Sequence, residues 1–136
     1  MPRVAPPSTV YAETAQSVAA QLTKGGGIVL EAEGQPVGSG RWVPVSGPGD
    51  AGKWMEVKRI GVLPNYTGRH LGADILAALE AQGRAAGTEG AQLAVRYDQT
   101  RLVSYYADLG YTLADDVTLT TINHETPPPT GMRKRF

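Results

Sequence analysis

The stretch from Met55 to Ala73 constrains the fold more than any other, because its apolar spacing changes part-way from that of a strand to that of a helix. Residues 56–63, EVKRIGVL, alternate partly and are rich in β-branched side chains, as in a half-buried strand. Pro64 ends this strand because proline cannot donate to a ladder. Apolar residues then recur at nearly four-residue spacing, at Leu71, Ile75, Leu76 and Leu79. The stretch therefore predicts a strand, a loop and a helix.

The loop between this strand and this helix has the composition of an anion-binding turn. Asn65 and Gly68 are turn-forming residues. The helix N-terminus that follows presents unpaired N–H groups and the positive end of the helix dipole, which together can hold a phosphate. The dinucleotide pattern GxGxxG and the P-loop pattern GxxxxGK[ST] are both absent from the sequence, so neither of those folds is indicated.

Residues 62–73, VLPNYTGRHLGA, resemble motif A of the Gcn5-related N-acetyltransferase (GNAT) superfamily, [QR]xxGx[GA], in its setting VxPxYRGxGxG. Gly68, Arg69 and Gly72 match that motif. Thr67 stands where Gln or Arg is usual, and His70 stands where the first motif glycine is usual.

Residues 93–111 resemble motif B of the same family, a strand followed by [DN]NxxAxx[FY]YxxLG[FY]. The segment YYxxLGY at 105–111 fits this motif, whereas Gln99 and Leu102 replace the usual Asn and Ala. Both motifs stand in the family's order and at its usual separation, and the resemblance covers the chain from about Thr9 onward. It implies an N-acetyltransferase that moves an acetyl group from acetyl-CoA to a primary amine of a small molecule or peptide.

The order of predicted elements indicates an α/β fold with a mixed central sheet flanked by helices. The predicted helices are 8–24, 70–86 and 100–109, and the predicted strands are 28–32, 36–43, 54–63, 92–97, 111–113, 117–122 and 130–135. Residues 44–53 are predicted to form a loop. We expect a single GNAT domain over residues 1–136, with residues 1–7 extended.

A full GNAT domain carries one more strand and helix at its front than this sequence predicts. The resemblance therefore implies an N-terminally shortened fold, in which the first strand and helix are missing. An uncovered sheet edge favours pairing with another chain, so a homodimer is expected.

Composition excludes several classes of site and partner. Thirteen basic and thirteen acidic residues cancel, which gives no global attraction to nucleic acid or to an anionic membrane. The absence of Cys excludes disulfides, thiolate metal sites and a cysteine nucleophile, and we expect no metal cofactor. No apolar run approaches the ~18 residues of a membrane span. A cytoplasmic protein is the default expectation.

The resemblance assigns CoA binding to three segments. Backbone amides of the loop and helix N-terminus would hold the pyrophosphate, with Arg69 adding charge. The backbone of the strand before the loop would pair with the pantetheine arm, and Gln99 would replace the usual Asn. The residues so assigned are Ile60, Gly61, Val62, Gly68, Arg69, His70, Leu71, Gly72, Ala73 and Gln99.

Three of these residues also have a structural interpretation. A Cβ at His70 would crowd a phosphate, so His70 could lie at the pocket rim without a role in binding. Gly61 could be a packing or bulge glycine. Gln99 could simply cap the following helix.

Two residues are candidates for catalysis. Glu56 lies eleven residues before Thr67, the spacing of the general-base Glu in the histone-acetyltransferase branch of the family. Its alternative is a surface carboxylate paired with Lys58 or Arg59; strand alternation places Glu56 and Lys58 on one face. Tyr106 corresponds to the Tyr that donates to the leaving CoA thiolate, and its alternative is a core aromatic.

Direct attack by the amine is expected, because the chain has no Cys and no evident Ser/His pair. Two other functions remain open at this point. The departures at Thr67 and His70 are compatible with a CoA-binding domain that has lost catalysis. The basic C-terminal segment 132–136, MRKRF, is compatible with an interaction module.

Overall fold

The computed structural model of the protein describes residues 24–48, 52–120 and 127–136. These residues form six strands and two α-helices, with a 3₁₀-helix at Pro64–Tyr66. The strands are β1 (Gly26–Ala32), β2 (Gln35–Ser46), β3 (Lys53–Val62), β4 (Gly90–Val95), β5 (Thr112–Leu113) and β6 (Thr130–Arg135). The helices are α1 (Leu71–Ala85) and α2 (Arg101–Asp108).

The strands form one mixed sheet in the order β1-β2-β3-β4-β6-β5. Strands β1, β2 and β3 are antiparallel to one another, β3 and β4 are parallel, and β6 is antiparallel to both β4 and β5. A parallel pair needs a long crossover, which α1 provides between β3 and β4. The predicted mixed α/β fold is confirmed.

Helix α1 packs its apolar stripe on one face of the sheet. Ile75, Leu76 and Leu79 are buried there in a cluster with Met55 and Val57 of β3. The same helix is tied to the first two strands by Gln82, which accepts from Trp42 Nε1 at 3.1 Å and donates to Gly27 O at 2.9 Å. We call the face of the sheet that contacts α1 the helix face, and the other the open face.

A buried carboxylate links α1 to the last strand. Glu80 accepts hydrogen bonds from the Tyr111 hydroxyl at 2.8 Å and from Lys134 Nζ at 3.1 Å. Burial raises the pKa of the Tyr111 hydroxyl well above its ordinary value, and the charge of Glu80 adds to that rise. This contact anchors the C-terminal half of α1 to Tyr111 and β6.

Two irregularities interrupt the regular pairing of strands in the middle of the sheet. Pairing of β2 with β3 shifts between Arg41↔Lys58 and Ser39↔Gly61, which leaves Arg59 and Ile60 opposite a single residue as a β-bulge. Arg59 has the left-handed φ of 58°. Pairing of β3 with β4 is confined to positions 55↔91 and 56↔92, so the two strands separate beyond this point.

Several predicted boundaries need correction. The loop predicted at 44–53 is shorter, because β2 continues to Ser46 and β3 begins at Lys53. The strand predicted at 117–122 is wrong for residues 117–120, which form no strand. Their polar groups instead bond buried side chains: Thr118 O accepts from Gln92, and Thr120 N donates to Glu56.

Some predictions fall outside the described residues. They are residues 121 and 122 of the same predicted strand, the extended segment 1–7, and the predicted helix 8–24 up to residue 23. Within the part of the chain that the structure describes, no helix is both long enough and apolar enough to span a membrane.

Candidate functional site

A cavity of about 450 Å³ lies where β3 has separated from β4. The end of β3, the loop after it, the first turn of α1 and one side of α2 form its walls. The lining residues are Ile60, Gly61, Val62, Tyr66, Thr67, Gly68, His70, Leu71, Gly72, Leu102, Tyr105 and Tyr106. We call this cavity the splay cavity.

The loop at the mouth of the splay cavity turns through two left-handed residues. Gly68 has φ 80° and His70 has φ 60°. A turn that contains left-handed residues can direct backbone N–H groups to one side and so form an anion-binding concavity. The side chain of His70, the N-cap residue of α1, makes no capping hydrogen bond, so this end of the helix presents amides and the positive end of its dipole.

The β3 wall of the splay cavity is free of side-chain obstruction at Gly61. A Cβ at that position would meet none of the residues that the structure describes within 4 Å, so Gly61 does not serve to pack against any of them. Because β4 has diverged from this part of β3, the strand edge beside Gly61 can accept an extended ligand.

The ring of Tyr106 packs between two other aromatic rings, one on α2 and one after the end of α2. Its ring makes edge contacts with Tyr105 at 5.3 Å and with Tyr111 at 6.1 Å. Burial raises the pKa of the Tyr106 hydroxyl, and the neighbouring Tyr105 adds to the rise. Tyr106 therefore packs on the core, as its structural interpretation proposed, and also lines the splay cavity.

Tyr105 reaches the first turn of α1. A Cβ built on Gly72 would lie 3.1 Å from its hydroxyl oxygen. Burial raises the pKa of the Tyr105 hydroxyl, a hydrogen bond with the backbone of Ala73 opposes the rise, and the charge of Asp74 adds to it. The absence of a side chain at Gly72 therefore leaves room for this hydroxyl beside the helix N-terminus.

The splay cavity brings together most of the residues assigned from sequence, but not all. The assigned residues that are not among the lining residues are Glu56, Arg69, Ala73 and Gln99. The guanidinium of Arg69 stacks 5.0 Å from the ring centroid of Tyr66. Gln99 precedes α2, and its backbone carbonyl accepts from Leu102 N at 2.9 Å.

The sequence analysis did not assign four of the lining residues, which are Tyr66, Thr67, Leu102 and Tyr105. A signal existed for two of them: Leu102 and Tyr105 are three apart and lie on the same side of a helix as Tyr106. Tyr66 and Thr67 lie within the segment that resembles motif A, so their place in that motif could have indicated them.

Glu56 lies on the open face of β3 and is 3% exposed, so its interpretation as a surface carboxylate is wrong. It accepts from Gln92 Nε2 at 2.8 Å and from Thr120 N at 3.1 Å. The Thr120 hydroxyl donates to its second oxygen and accepts from Lys58 Nζ at 3.0 Å. Glu56 and Lys58 therefore share one face, as strand alternation predicted.

The sequence profile of the acetyltransferase (GNAT) family matches residues 3–111. This chain belongs to the GNAT family. No curated protein sequence matches it significantly. Both motifs that resemble the family lie within the matched residues, and in this GNAT chain residues of both motifs line the splay cavity.

Solved structures share the fold of this GNAT chain at low sequence identity. An acetyltransferase from Streptococcus agalactiae has a TM-score of 0.76 at 14% identity, over 97% of this chain and 80% of that one. Arabidopsis thaliana Naa50, in complex with the bisubstrate analogue CoA-Ac-MVNAL, has a TM-score of 0.72 at 17% identity, over 91% and 82%. A GNAT acetyltransferase from Elizabethkingia anophelis with acetyl-CoA bound has a TM-score of 0.70 at 12% identity, over 100% and 96%.

Proposed function

We propose that this GNAT domain transfers an acetyl group from acetyl-CoA to a primary amine of a small molecule or peptide by direct attack. The observation that carries the proposal is the splay cavity itself. It combines an unpaired strand edge, a left-handed loop at a helix N-terminus and a protonated tyrosine hydroxyl within one space of about 450 Å³.

The loop and the first turn of α1 would hold the pyrophosphate. The left-handed backbone of Gly68 and His70 would direct amides towards this group, and the dipole of α1 favours a negative charge. The amides of Leu71, Gly72 and Ala73 belong to this turn. Arg69, stacked on Tyr66 outside the lining, would add long-range attraction rather than a direct contact.

The edge of β3 would hold the pantetheine arm. Ile60 lies in the bulge, Gly61 and Val62 follow it, and none of the three pairs with β4. An extended amide-containing arm can therefore pair with this edge as an added strand would. Gln99, at the start of α2, remains a candidate for a further polar contact.

The chemical step joins the amine nitrogen to the acetyl carbonyl carbon and breaks the carbon–sulfur bond. Tyr106 would donate a hydrogen bond or proton to the departing sulfur, and its raised pKa keeps the hydroxyl protonated at neutral pH. Glu56 would accept the proton of the amine. Both Glu56 oxygens already accept hydrogen bonds, so that transfer would pass through Thr120 or a water that replaces it.

The same bonds support a second candidate function, a CoA-binding GNAT domain without catalysis. A carboxylate held by Gln92 and by both donors of Thr120 can serve structure alone. Binding and turnover separate the two candidates: acetyl-CoA binding without thiol release for any amine would favour the second. The interaction module based on the C-terminal segment has no support from this site, because that segment forms β6 within the sheet.

A homodimer also remains part of the proposal. Strand β1 lies at the edge of the described sheet, and Val29 in its middle is 59% exposed. Unpaired edges associate readily, and a closed two-fold dimer is the commonest outcome.

The test of the proposed function is Tyr106→Phe, measured by thiol release with a panel of amines. We expect kcat to fall by ~10²-fold or more while acetyl-CoA affinity is retained, because only the hydroxyl is removed. Tyr97→Phe is the control, since Tyr97 is not among the residues lining the splay cavity. Unchanged turnover in Tyr106→Phe would return this residue to a purely structural role.

A further inference from the structure

Two adjacent tyrosines of α2 line the splay cavity, and they reach different parts of the molecule. Tyr106 packs on the core, and its ring centroid lies 6.1 Å from that of Tyr111. Tyr105 is not among the described residues that pack on the core cluster. Its hydroxyl oxygen lies 3.1 Å from the position of a Cβ on Gly72, the second residue of α1. The proposed chemistry uses Tyr106, so the hydroxyl of Tyr105 has no part in it.

The Tyr105 hydroxyl lies among the free amides of the α1 N-terminus. The first bond within the helix runs from Asp74 N to His70 O at 3.1 Å, so the amides of residues 71–73 have no acceptor inside the helix. A hydrogen bond joins the Tyr105 hydroxyl to the backbone of Ala73 and lowers its pKa. A bond with that effect stabilises the ionised oxygen, so the Ala73 amide is the donor. The oxygen of Tyr105 therefore acts as a capping acceptor supplied by another helix.

The same hydroxyl keeps a proton that it can donate. A tyrosine hydroxyl is an acceptor and a donor at once. Burial raises the pKa of Tyr105, and the charge of Asp74 adds to the rise, so the group stays protonated at neutral pH. Among the described residues, the only hydrogen bond of Tyr105 is the one with Ala73. Its O–H is therefore available to a ligand in the splay cavity.

This arrangement changes which group at the third position of α1 faces a ligand. Sequence analysis assigned Ala73 to the pyrophosphate, but Ala73 does not line the splay cavity and its amide already has an acceptor. Tyr105 does line the cavity. A donor that itself accepts a hydrogen bond is polarised and becomes a stronger donor. The hydroxyl thus carries the donor capacity of the Ala73 amide to the cavity surface.

We propose that the Tyr105 hydroxyl donates a hydrogen bond to the pyrophosphate of CoA and takes the place of the Ala73 amide in the phosphate cradle. The inference rests on the proposed function, since it requires CoA in the splay cavity. It divides the work of the two tyrosines: Tyr105 contributes to cofactor affinity, and Tyr106 to departure of the sulfur. It also gives Gly72 a reason to lack a side chain, because a Cβ there would crowd the Tyr105 hydroxyl.

Tyr105→Phe tests the proposal, because it removes the hydroxyl and keeps the ring that contacts Tyr106. Isothermal titration calorimetry measures CoA binding to the parent protein, to this variant and to the control Tyr97→Phe, whose residue does not line the cavity. We expect the Kd for CoA to rise by ~10-fold or more in Tyr105→Phe alone, since hydrogen bonds to charged groups are the stronger kind. An unchanged Kd would overturn the inference. A lower Kd would overturn it as well, because the hydroxyl would then occupy the place of the phosphate.

A comparison of two acetyl donors separates a phosphate contact from a structural role. Tyr105→Phe also deprives the Ala73 amide of its acceptor, which by itself could disturb the whole cavity. Acetylpantetheine has the thioester and the arm of acetyl-CoA but no phosphate. In thiol release, we expect kcat/KM of Tyr105→Phe to fall for acetyl-CoA and to be retained for acetylpantetheine. An equal fall for both donors would mean that Tyr105 serves structure alone.

The same variants show whether this inference or the proposed function fails. Tyr105→Phe should raise KM for acetyl-CoA, whereas Tyr106→Phe should lower kcat. If no amine supports thiol release, the proposed function fails, and calorimetry with CoA still decides the role of Tyr105. If thiol release is normal and Tyr105→Phe binds CoA as the parent does, this inference alone fails. Absence of CoA binding to the parent protein would overturn both.

Discussion

His70→Gly should make the protein more stable, although it removes a side chain. His70 precedes α1 with φ 60° and ψ 20°, in the left-handed region. That region costs an L-residue ~1–2 kcal/mol. Glycine avoids this cost but loses ~0.5–1 kcal/mol more backbone entropy on folding. The difference is a gain of about 0.5–1 kcal/mol in the free energy of unfolding, or about 2–4 °C in Tm.

His70→Ala is the matched control for this prediction. Alanine retains the Cβ and its backbone cost but removes the imidazole. The imidazole is exposed and makes no capping hydrogen bond to α1, so His70→Ala should lie within about 0.5 kcal/mol of the parent protein. Urea unfolding followed by far-UV CD measures all three proteins. If His70→Gly is no more stable than His70→Ala, the backbone is not strained at this position.

The acetyl-CoA affinities of the same two variants distinguish three possible roles of His70 in CoA binding. If its Cβ crowds the phosphate, His70→Gly binds acetyl-CoA more tightly than the parent and His70→Ala does not. If its imidazole donates to the phosphate, both variants bind more weakly. If His70 lies at the rim without a role, acetyl-CoA affinity is the same in all three proteins.

Three further predictions concern the cofactor, the core and the assembly. Gly72→Asp should abolish the rise in Tm that acetyl-CoA causes, because it places a carboxylate where the pyrophosphate is proposed to bind. Gly72→Ala is the steric control, because its Cβ also meets the Tyr105 hydroxyl. Tyr111→Phe should cost about 1–3 kcal/mol by removing a donor from Glu80. Above pH ~10 the unfolded state loses the Tyr111 proton and the folded state keeps it, so stability should fall by ~1.4 kcal/mol per pH unit, and Tyr111→Phe should lessen that fall. Light scattering should give twice the single-chain mass of 14.4 kDa, and a folded protein of one chain's mass would exclude the dimer.

The fold was predictable because its signals are local. The change of period from β3 to α1 lies within a single stretch of sequence, and Pro64 and Gly68 mark the loop between them. The segment 117–120 was not predictable, because it satisfies its backbone through long-range bonds to side chains. Glu56 is 64 residues from its partner Thr120, and Gln92 is 26 residues from its partner Thr118. Apolar spacing carries no information about such contacts.

The splay cavity was partly predictable for the same reason. Glycines and apolar strand residues around the loop follow a motif, so the phosphate side could be assigned by position. Tyr105 was not assigned, because adjacent residues on a helix differ by 100° and spacing alone does not tell which of two tyrosines enters a cavity. The structure places both there, Tyr106 against the core and Tyr105 beside Gly72.

The side chains of β3 change faces part-way along the strand, and Glu56 lies before that change. Below the bulge, alternation places Glu56 and Lys58 on the open face, where Thr120 joins them through one hydroxyl. Above it, the extra residue in β3 turns Ile60 to the helix face and leaves Arg59 in the bulge with a left-handed backbone. Without the bulge, the residues after Lys58 would exchange faces. One inserted residue therefore changes the register of β3 half-way along, so that Lys58 lies on the open face and Ile60 on the helix face.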